Sequence, residues 1–526
     1  MANRIDGIMS GWDTESMVKA MVSHQQNQID RLSQKNQIYN WQRTKYTELY
    51  KKIETFRNNS LYNYKLDSTT KVKTATSTNE SLVTAKPTAD AINGTHTITV
   101  HKLATGAQTG SQGKMNSTSD KSSISKQFVD GSDAPLYTDS FTLKLNGKEI
   151  TIDPTKESMN DLVKKINESG AGVKATYDAN TDRMFISAEG IGADAKVDFT
   201  ATDDVNGLKF LKNTVQMPVV TQADIDADPT NPSLVLGELK AITGTDALID
   251  IDGVNGITQS SNDFTIAGIN YSLKEADPTK TTTIEVKSDT EAILQSVKDF
   301  VNSYNELLDA INAVTYEQKY KNFNPLTDVQ KEGMTADQIT NWEDKAKSGV
   351  LRTDSLLMSI TSSMRSTVYS SVNGISSQMV DGKRVTFNSM YSIGITTGNY
   401  SDNGKLQIDE DKLRKAIEAD PDAVNKIMNG GTAADGKRTD GVADKLYDEL
   451  KKGMDKIDSK AGSSAGDSDI TSNLAKKIKA NQDAIDKKTT RMNLQMQTYY
   501  KEFDAMESLL QQMQSQQDSL ANYFSS

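Results

Sequence analysis

Between residues 478 and 524 the chain repeats apolar side chains every seven places, and no other feature of its sequence restricts the fold as strongly. Ile478, Ile485, Met492, Tyr499, Met506, Met513 and Leu520 share one row. Met496, Phe503, Leu510 and Phe524 form the companion row, with Thr489 and Gln517 filling its gaps. The tract holds neither Gly nor Pro. A repeat of this period sustained over this length predicts an α-helix with an a/d seam, although an ordinary amphipathic helix on a globular core is the commoner source of such stripes. A candidate partner stands at the other end of the chain. Val18, Leu32, Tyr39, Tyr46 and Ile53 fall on a heptad grid, with Met21, Leu49 and Phe56 three places later. Gln25, Gln28, Lys35 and Gln42 interrupt that grid. Two such tracts favour pairing with one another into a coiled-coil stem. Each missing apolar knob forfeits about 1–3 kcal/mol of burial, so the stem is expected to be marginal in the isolated protein.

Between the helical ends the period changes from 3.5 to 2. "THTITVHKL", "SFTLKLNGKEITI", "VKATYDANTDRMFIS", "ALIDIDGV", "DFTIAGINYSL" and "TTTIEV" alternate and read as short strands. "LNGK" and "DANTD" supply turns between strand pairs. One helix, "SMNDLVKKINESG", breaks this region, with Ser158 as its N-cap and Gly170 as its stop. Helical patterns resume after Asp289, followed by a strand–helix unit, "GKLQIDEDKLRKAIEADPDAVNKIM", and a flexible linker, "KAGSSAGDSD". The expected fold class is multidomain α+β, with a coiled-coil stem from paired N- and C-terminal helices, a mixed helical shoulder domain and inserted β-rich head domains. The expected borders are 1–68 for the N-terminal leg helices and 69–90 for the start of the shoulder. The head spans 91–288, read as two domains, one of about 111–200 and one combining 91–110 with 201–288. The shoulder continues over 289–440, and 441–526 is the C-terminal leg, coiled coil over 470–524.

Composition narrows the function. The 60 basic and 71 acidic residues leave a net charge of −11, which opposes a grip on nucleic acid or anionic membrane. No apolar run approaches the ~20 residues that span a bilayer, so membrane insertion is not expected. Hydrophobic content is 36%, below the roughly 45–50% usual for globular chains, which fits several thin domains. The absence of cysteine removes disulfides, thiolate metal sites and cysteine nucleophiles. "MANRIDGIMSGWDTESM" has no apolar core of a cleavable signal peptide, so the expectation is a cytosolic protein or one exported by another route.

Motifs of covalent chemistry are sparse. His24, His96 and His101 are scattered; strand alternation points His96 and His101 to opposite faces, and all three read as solvent-exposed. Gly462–Gly466 matches G-x-S-x-G around Ser464, but a nucleophile elbow needs a strand before it and a helix behind, and here the flanks are linker. Asp178, Asn180, Asp182 and Glu189 match positions of a calcium loop, yet Arg183 replaces its turn glycine and strands flank it. A hairpin turn explains them without an ion. No enzyme activity, cofactor or metal is expected.

Several stretches carry a resemblance. "IDGIMSGWDTESMVKAMV", residues 5–22, resembles the opening of flagellar filament-cap proteins, also called hook-associated protein 2. The family pattern Ile-x-Gly-x-x-Ser-Gly-x-Asp is matched by Ile5, Gly7, Ser10, Gly11 and Asp13; Trp12 stands where a smaller aliphatic residue is common. "DLVKKINESGAGVKATYDANTDRMFISAEGIGA" resembles a repeat shared by flagellins and hook-associated proteins, placed at 158–199 within the first head domain. "FTIAGINYSLKEADPTKTTTIEVKSDTEAILQSVKDFVNSYNELLDAIN" and "NFNPLTDVQKEGMTADQITNWEDKAKSGVLRTD" resemble the C-terminal half of cap proteins. Residues 105–137 and 215–237 carry no family pattern.

The resemblance implies a ring-shaped homo-oligomer at the distal tip of the extracellular filament, exported without a cleavable signal peptide. Its β-rich domains would form a plate and its paired helices legs, between which newly exported flagellin is inserted, as elongation and motility require. The implied partners are flagellin, the hook–filament junction protein, a flagellar export chaperone and the type III export apparatus. The C-terminal seam becomes the candidate contact for flagellin and chaperone. The alternatives are another axial component, flagellin or the junction protein, and an adhesin using the β-rich heads.

Overall fold

The structure is a computed structural model that describes residues 11–380, 382–398, 402–432, 436–463 and 469–525, with side chains described as far as 521. The architecture is multidomain α+β. The chain divides into two compact units: Met1–Lys71 with Thr290–Ser526, which is mainly helical, and Val72–Asp289, which is rich in strands.

The helical unit is built on five long helices. The first, α1 (Thr14–Thr55), starts where the Asp13 carboxylate accepts the Ser16 N–H at 3.0 Å, which satisfies one of the free donors of the first turn. It runs into a π-helical turn, Phe56–Ser60, and a 3₁₀ turn, Leu61–Lys65. Next, α2 (Thr290–Thr315) buries Ile293, Val297, Phe300, Tyr304, Leu307 and Ile311 along one face at steps of three and four, the spacing that aligns side chains on a helix. Two more follow, α3 (Ser355–Val368) and α4 (Val442–Ala461). They approach closely at Gly453, where a Cβ would lie 3.1 Å from Ile360. Tyr64 meets Phe300 edge-on at 5.3 Å and donates to the Ser296 carbonyl at 2.7 Å. The last helix, α5 (Asn473–Ser525), has 53 residues.

The β-rich unit holds two cores. One lies between a five-stranded and a three-stranded antiparallel sheet. With β1 (Lys73–Ser77), β2 (Val83–Pro87), β3 (Gly94–Lys102), β4 (Gln108–Gly110), β5 (Phe141–Leu145), β6 (Lys148–Ile152), β7 (Val173–Asp178), β8 (Arg183–Ala188), β9 (Ala247–Ile251), β10 (Val254–Gln259), β11 (Asp263–Ile266), β12 (Ile269–Leu273) and β13 (Thr281–Ser288), the orders are β1-β13-β3-β9-β10 and β11-β12-β2. Val83, Ile98, Val100, Ile249, Tyr271 and Ile284 fill this core. The other core collects the β5–β6 hairpin, the β4-β8-β7 sheet and the helix Met159–Glu168 around Phe128, Tyr137, Phe141 and Phe210, whose rings sit 5.0–6.2 Å apart.

Local signals of the sequence recur here. Ser158 and Asp161 form a reciprocal capping box, and Gly170 follows the helix at φ +68°. Asn146 and Gly147, at φ +50° and +80°, make the β5–β6 turn, as a primed hairpin turn requires. In the "DANTD" turn the carboxylates hold the chain itself: Asp178 accepts from the Asn180 N–H at 2.8 Å and Asp182 accepts from Ser117, while Glu189, beyond the end of β8, pairs with Lys174 at 3.2 Å.

Two expected borders are displaced. The stretch 69–90, expected to open the shoulder, instead supplies β1 and β2 to the β-rich unit, because their partners are β13 and β12, some two hundred residues on. The head cores divide differently as well. Phe210, Leu211, Val215, Met217 and Leu239 join the ring-lined core, which spans residues 107–242, whereas 201–242 was expected with the other domain. The chain crosses between cores at Thr105 and Thr245, which exchange two backbone hydrogen bonds of 2.8 and 3.1 Å.

Candidate functional site

The two terminal helices pair antiparallel. Gln25 Nε2 donates to Gln495 Oε1 at 2.7 Å, Lys488 Nζ to Gln28 Oε1 at 2.6 Å, and Asn36 Nδ2 to Gln482 Oε1 at 3.4 Å. Arg43 and Asp469 approach to 3.7 Å. Between these polar rungs Val22, Ile29 and Met492 are buried, with Ile485, Met496 and Tyr499 packed on them.

Val18 is buried, Leu32 and Tyr39 are half-buried, and Tyr46, Leu49, Ile53 and Phe56 are buried. Met21 is 52% exposed, so it does not belong to the seam. The companion row lies one residue later, at Val22 and Ile29, and continues through Asn36 and Arg43. Steps of three and of four both preserve a heptad, so one row does not disclose which flank is covered. Gln28 and Lys35 on the expected flank, against Val22 and Ile29 on the other, were the available signal. Leu49 and Phe56 are buried nonetheless, because α2 and α4 also surround the inner end of α1.

The polar interruptions are bonded rather than empty. Besides the rungs, Gln42 donates to the Val350 carbonyl at 3.0 Å and Gln34 to that of Pro325 at 2.8 Å. The Lys35 ammonium lies 5.9 Å from the Tyr39 ring centroid. Hydrogen-bonded amides recover part of the burial that apolar knobs would have given.

On α5, Met492 is buried, and Ile478, Ile485, Met496, Tyr499, Phe503 and Met506 are half-buried. Leu510, Met513 and Leu520 are 36%, 59% and 62% exposed. The side chain of Phe524 lies outside the described residues. From Ser508 to Ala521 every residue is exposed. The rungs place α5 residues near 504 opposite the start of α1, so the helix continues past its partner. At 1.5 Å per residue the overhang to Ser525 is about 27 Å long. It carries five Gln, one Asp and no basic residue. Its chemistry is that of an adaptable apolar stripe flanked by amides.

Of the N-terminal pattern, Ile5, Gly7 and Ser10 lie outside the described residues. Gly11 adopts φ +70° and Asp13 caps α1, so both serve the helix start; the Ser16 hydroxyl holds the Asp13 carboxyl below its ordinary pKa. Ser464 also lies outside the described residues. Among the histidines, His24 is exposed and His101 half-buried, but His96 is only 8% exposed and corrects the expectation of three solvent-facing rings. Among the described residues no cluster of three metal-binding side chains occurs, and no helix is long and apolar enough to cross a membrane.

Comparison with known proteins agrees with this layout. Residues 244–515 match the family described as flagellar hook-associated protein 2 C-terminus, 10–107 its N-terminus, and 140–190 the flagellin hook IN motif. The chain is 29% identical to flagellar hook-associated protein 2 of Halalkalibacterium halodurans over 99% of each chain. It is 24% identical to that of Thermotoga maritima, covering 98% of this chain and 94% of the other. The crystal structure of the flagellar cap protein FliD D1-D2-D3 domains from Escherichia coli shares the fold, with a TM-score of 0.53 at 20% identity over 83% of this chain and 99% of that one.

Proposed function

The chain belongs to the flagellar hook-associated protein 2 family, and on that premise we propose that it caps the distal end of a bacterial flagellar filament. In this reading it is a structural component outside the cell, assembled as a ring of identical subunits, that promotes insertion of exported flagellin and prevents its loss. The observation that carries the reading is that, among the described residues, α5 continues past the start of α1 with every side chain from Ser508 to Ala521 exposed. A helix that continues its apolar stripe for about 27 Å past its partner needs another helix to cover Leu510, Met513 and Leu520, which are exposed here. Flagellin, at the tip, and the hook–filament junction protein, before filament growth, would supply such helices. Inside the cell the same stripe would be a contact for an export chaperone on the way to the type III apparatus. Met and Gln favour contacts that reseat, since Met fits many surfaces and amides bond without a fixed charge register.

The test is electron cryomicroscopy of filament tips from cells making either the intact protein or one ending at Glu507. A ring at intact tips that is lost with the truncation, while the truncated protein remains folded, is the expected outcome. A protein found along the filament or at the hook junction would overturn capping in favour of another axial role.

A further inference from the structure

His96 lies on the inner face of β3 with both ring nitrogens against acceptors. Nδ1 is 2.7 Å from Asp252 Oδ2, and Nε2 is 3.0 Å from the Ile92 carbonyl oxygen. A carboxylate and a carbonyl can only accept. A neutral imidazole has one N–H, so it can serve one of them and must turn a lone pair toward the other. Only the imidazolium, with a proton on each nitrogen, satisfies both.

The two acceptors belong to different parts of the sandwich. Asp252 sits in the turn between β9 and β10 at φ +50°, where its second oxygen accepts the Thr97 N–H at 2.7 Å. Ile92 lies in the short link, residues 88–93, that carries the chain from β2 in the three-stranded sheet to β3 in the five-stranded one. That link is otherwise pinned at its ends by Thr88, whose N–H and hydroxyl both donate to the Gly268 carbonyl at 2.8 Å, by the Lys73 ammonium on the Ala91 carbonyl, and by Asn93, whose amide donates to the Ser288 hydroxyl at 3.1 Å. The ring therefore bridges a turn anchored on β3 and the Ile92 carbonyl, between the anchored residues Ala91 and Asn93 of the link.

We propose that His96 is a proton-operated latch: as imidazolium it fastens the 88–93 link to the β9–β10 turn, and on losing its proton it releases one of the two.

The charged surroundings favour the closed form. Asp252 is the carboxylate that faces the ring, and its hydrogen bond raises the imidazole pKa above 6.5; partial burial opposes this and the Ile92 carbonyl assists it. For Asp252 burial pushes the carboxyl up, but the bonds from His96 and Thr97 outweigh it and the net direction is down. On β12, Tyr271 stays neutral, its pKa pushed up to about 12 by burial and then by Asp252. On β13 the residue paired with His96 is Ile284, and the neighbouring Glu285 is exposed. Lys73, on β1, holds the link beside Ile92 rather than the ring. His101 pairs with Asp250 at 2.6 Å on the opposite face of β3.

The sign follows from linkage. A raised imidazole pKa gives stability that is complete below about 6.5 and lost as pH rises through the folded value. The lowered Asp252 carboxyl gives stability above its ordinary value that is lost in acid. The latch holds between these limits, so the β-rich unit stiffens in mildly acidic surroundings and loosens in alkaline ones.

The full-length protein, with ¹⁵N-labelled histidine, would be titrated from pH 5 to 9 by NMR. Amide exchange at Thr88 and Ala91, corrected for its intrinsic pH dependence, would be followed across the same range. The His96 ring should keep both protons to a higher pH than an ordinary imidazole, and protection in the link should fall several-fold as the ring titrates. His96→Gln should abolish that pH dependence, and Asp252→Asn should move it to lower pH. A His96 ring already neutral below pH 6.5, or link protection equal at pH 5.5 and 8.5 in the unaltered protein, would overturn the latch. So would His96→Gln with the pH response intact.

Discussion

Replacing Ile29 with alanine asks whether the outer part of the helix pair is held by its own seam. Beyond Gln34, toward the start of α1, the apolar residues buried on the two helices are Val18, Val22, Ile29 and Met492. Truncating a buried isoleucine costs about 2–5 kcal/mol, with the low end where the site can relax. Ile29 is 7% exposed and its cluster is open to water along both flanks, so ~2 kcal/mol is the appropriate figure. At 1.4 kcal/mol per tenfold, local opening of the pair should increase about 30-fold. Amide exchange of the full-length protein, read by mass spectrometry, would compare residues 18–32 and 485–503 with 446–457 of α4. The first two should accelerate by that factor while α4 keeps its rate. In the unaltered protein Leu32 and Phe503 should exchange long before α4, as a marginal stem requires. Unchanged exchange in the variant would refute the seam as the source of pairing. Equal acceleration in α4 would show that the pair opens only when the whole unit unfolds.

Three other outcomes follow from single contacts. Tyr46→Phe should cost about 1–2 kcal/mol in urea unfolding, because the buried hydroxyl donates at 2.6 Å to Asp354, which caps α3 through the Leu356 and Leu357 N–H groups; no change in midpoint would show that the Tyr46–Asp354 bond adds nothing to stability. Gly268→Ala should lower the melting temperature of the β-rich unit, since φ is +78° and a Cβ would meet the Ala91 nitrogen at 2.7 Å. The left-handed backbone alone costs roughly 1–2 kcal/mol. Asp67 is held below its ordinary carboxylate pKa by hydrogen bonds from Asn425, Lys71 and Asn429, against the pull of burial. Its contribution is therefore present above about pH 4 and lost as pH falls through the folded value, so Asp67→Asn should flatten the acid limb of a stability–pH curve.

Elements that announce themselves locally were readable from the residues. The heptad rows mark α5 and the inner half of α1, Ser158 marks a helix start, and "LNGK" marks the turn at Asn146 and Gly147. What resisted reading depends on distant partners. Nothing within "KTATS" or "VTAKP" says that each pairs with a strand some two hundred residues away. Phe210 and Leu239 occur in stretches without a period, so their shared core with Phe141 is a property of the folded chain. The glutamines of α1 looked like missing knobs because a sequence does not show that Gln495 and Lys488 stand opposite. His96 looked exposed because one polar residue on an apolar strand face gives no sign of a carboxylate arriving from Asp252.

The helical unit is assembled from both ends of the chain, with the β-rich unit contained between them. On a ribosome this order has a temporal meaning. Val72–Asp289 emerges whole and can fold at once, but α1 must wait while more than 400 further residues are made before α5 appears. At 5–20 residues per second the delay is roughly 20–80 seconds. The long interruption adds little to the final closure entropy, about 0.6 kcal/mol for each doubling of length, so the cost lies in exposure time rather than in equilibrium stability. Throughout that interval Val22 and Ile29 have no partner helix. A nascent chain and a chain cut short before Ile485 thus display the same bare stripe, and quality control that binds apolar helices would recognise both by one mark.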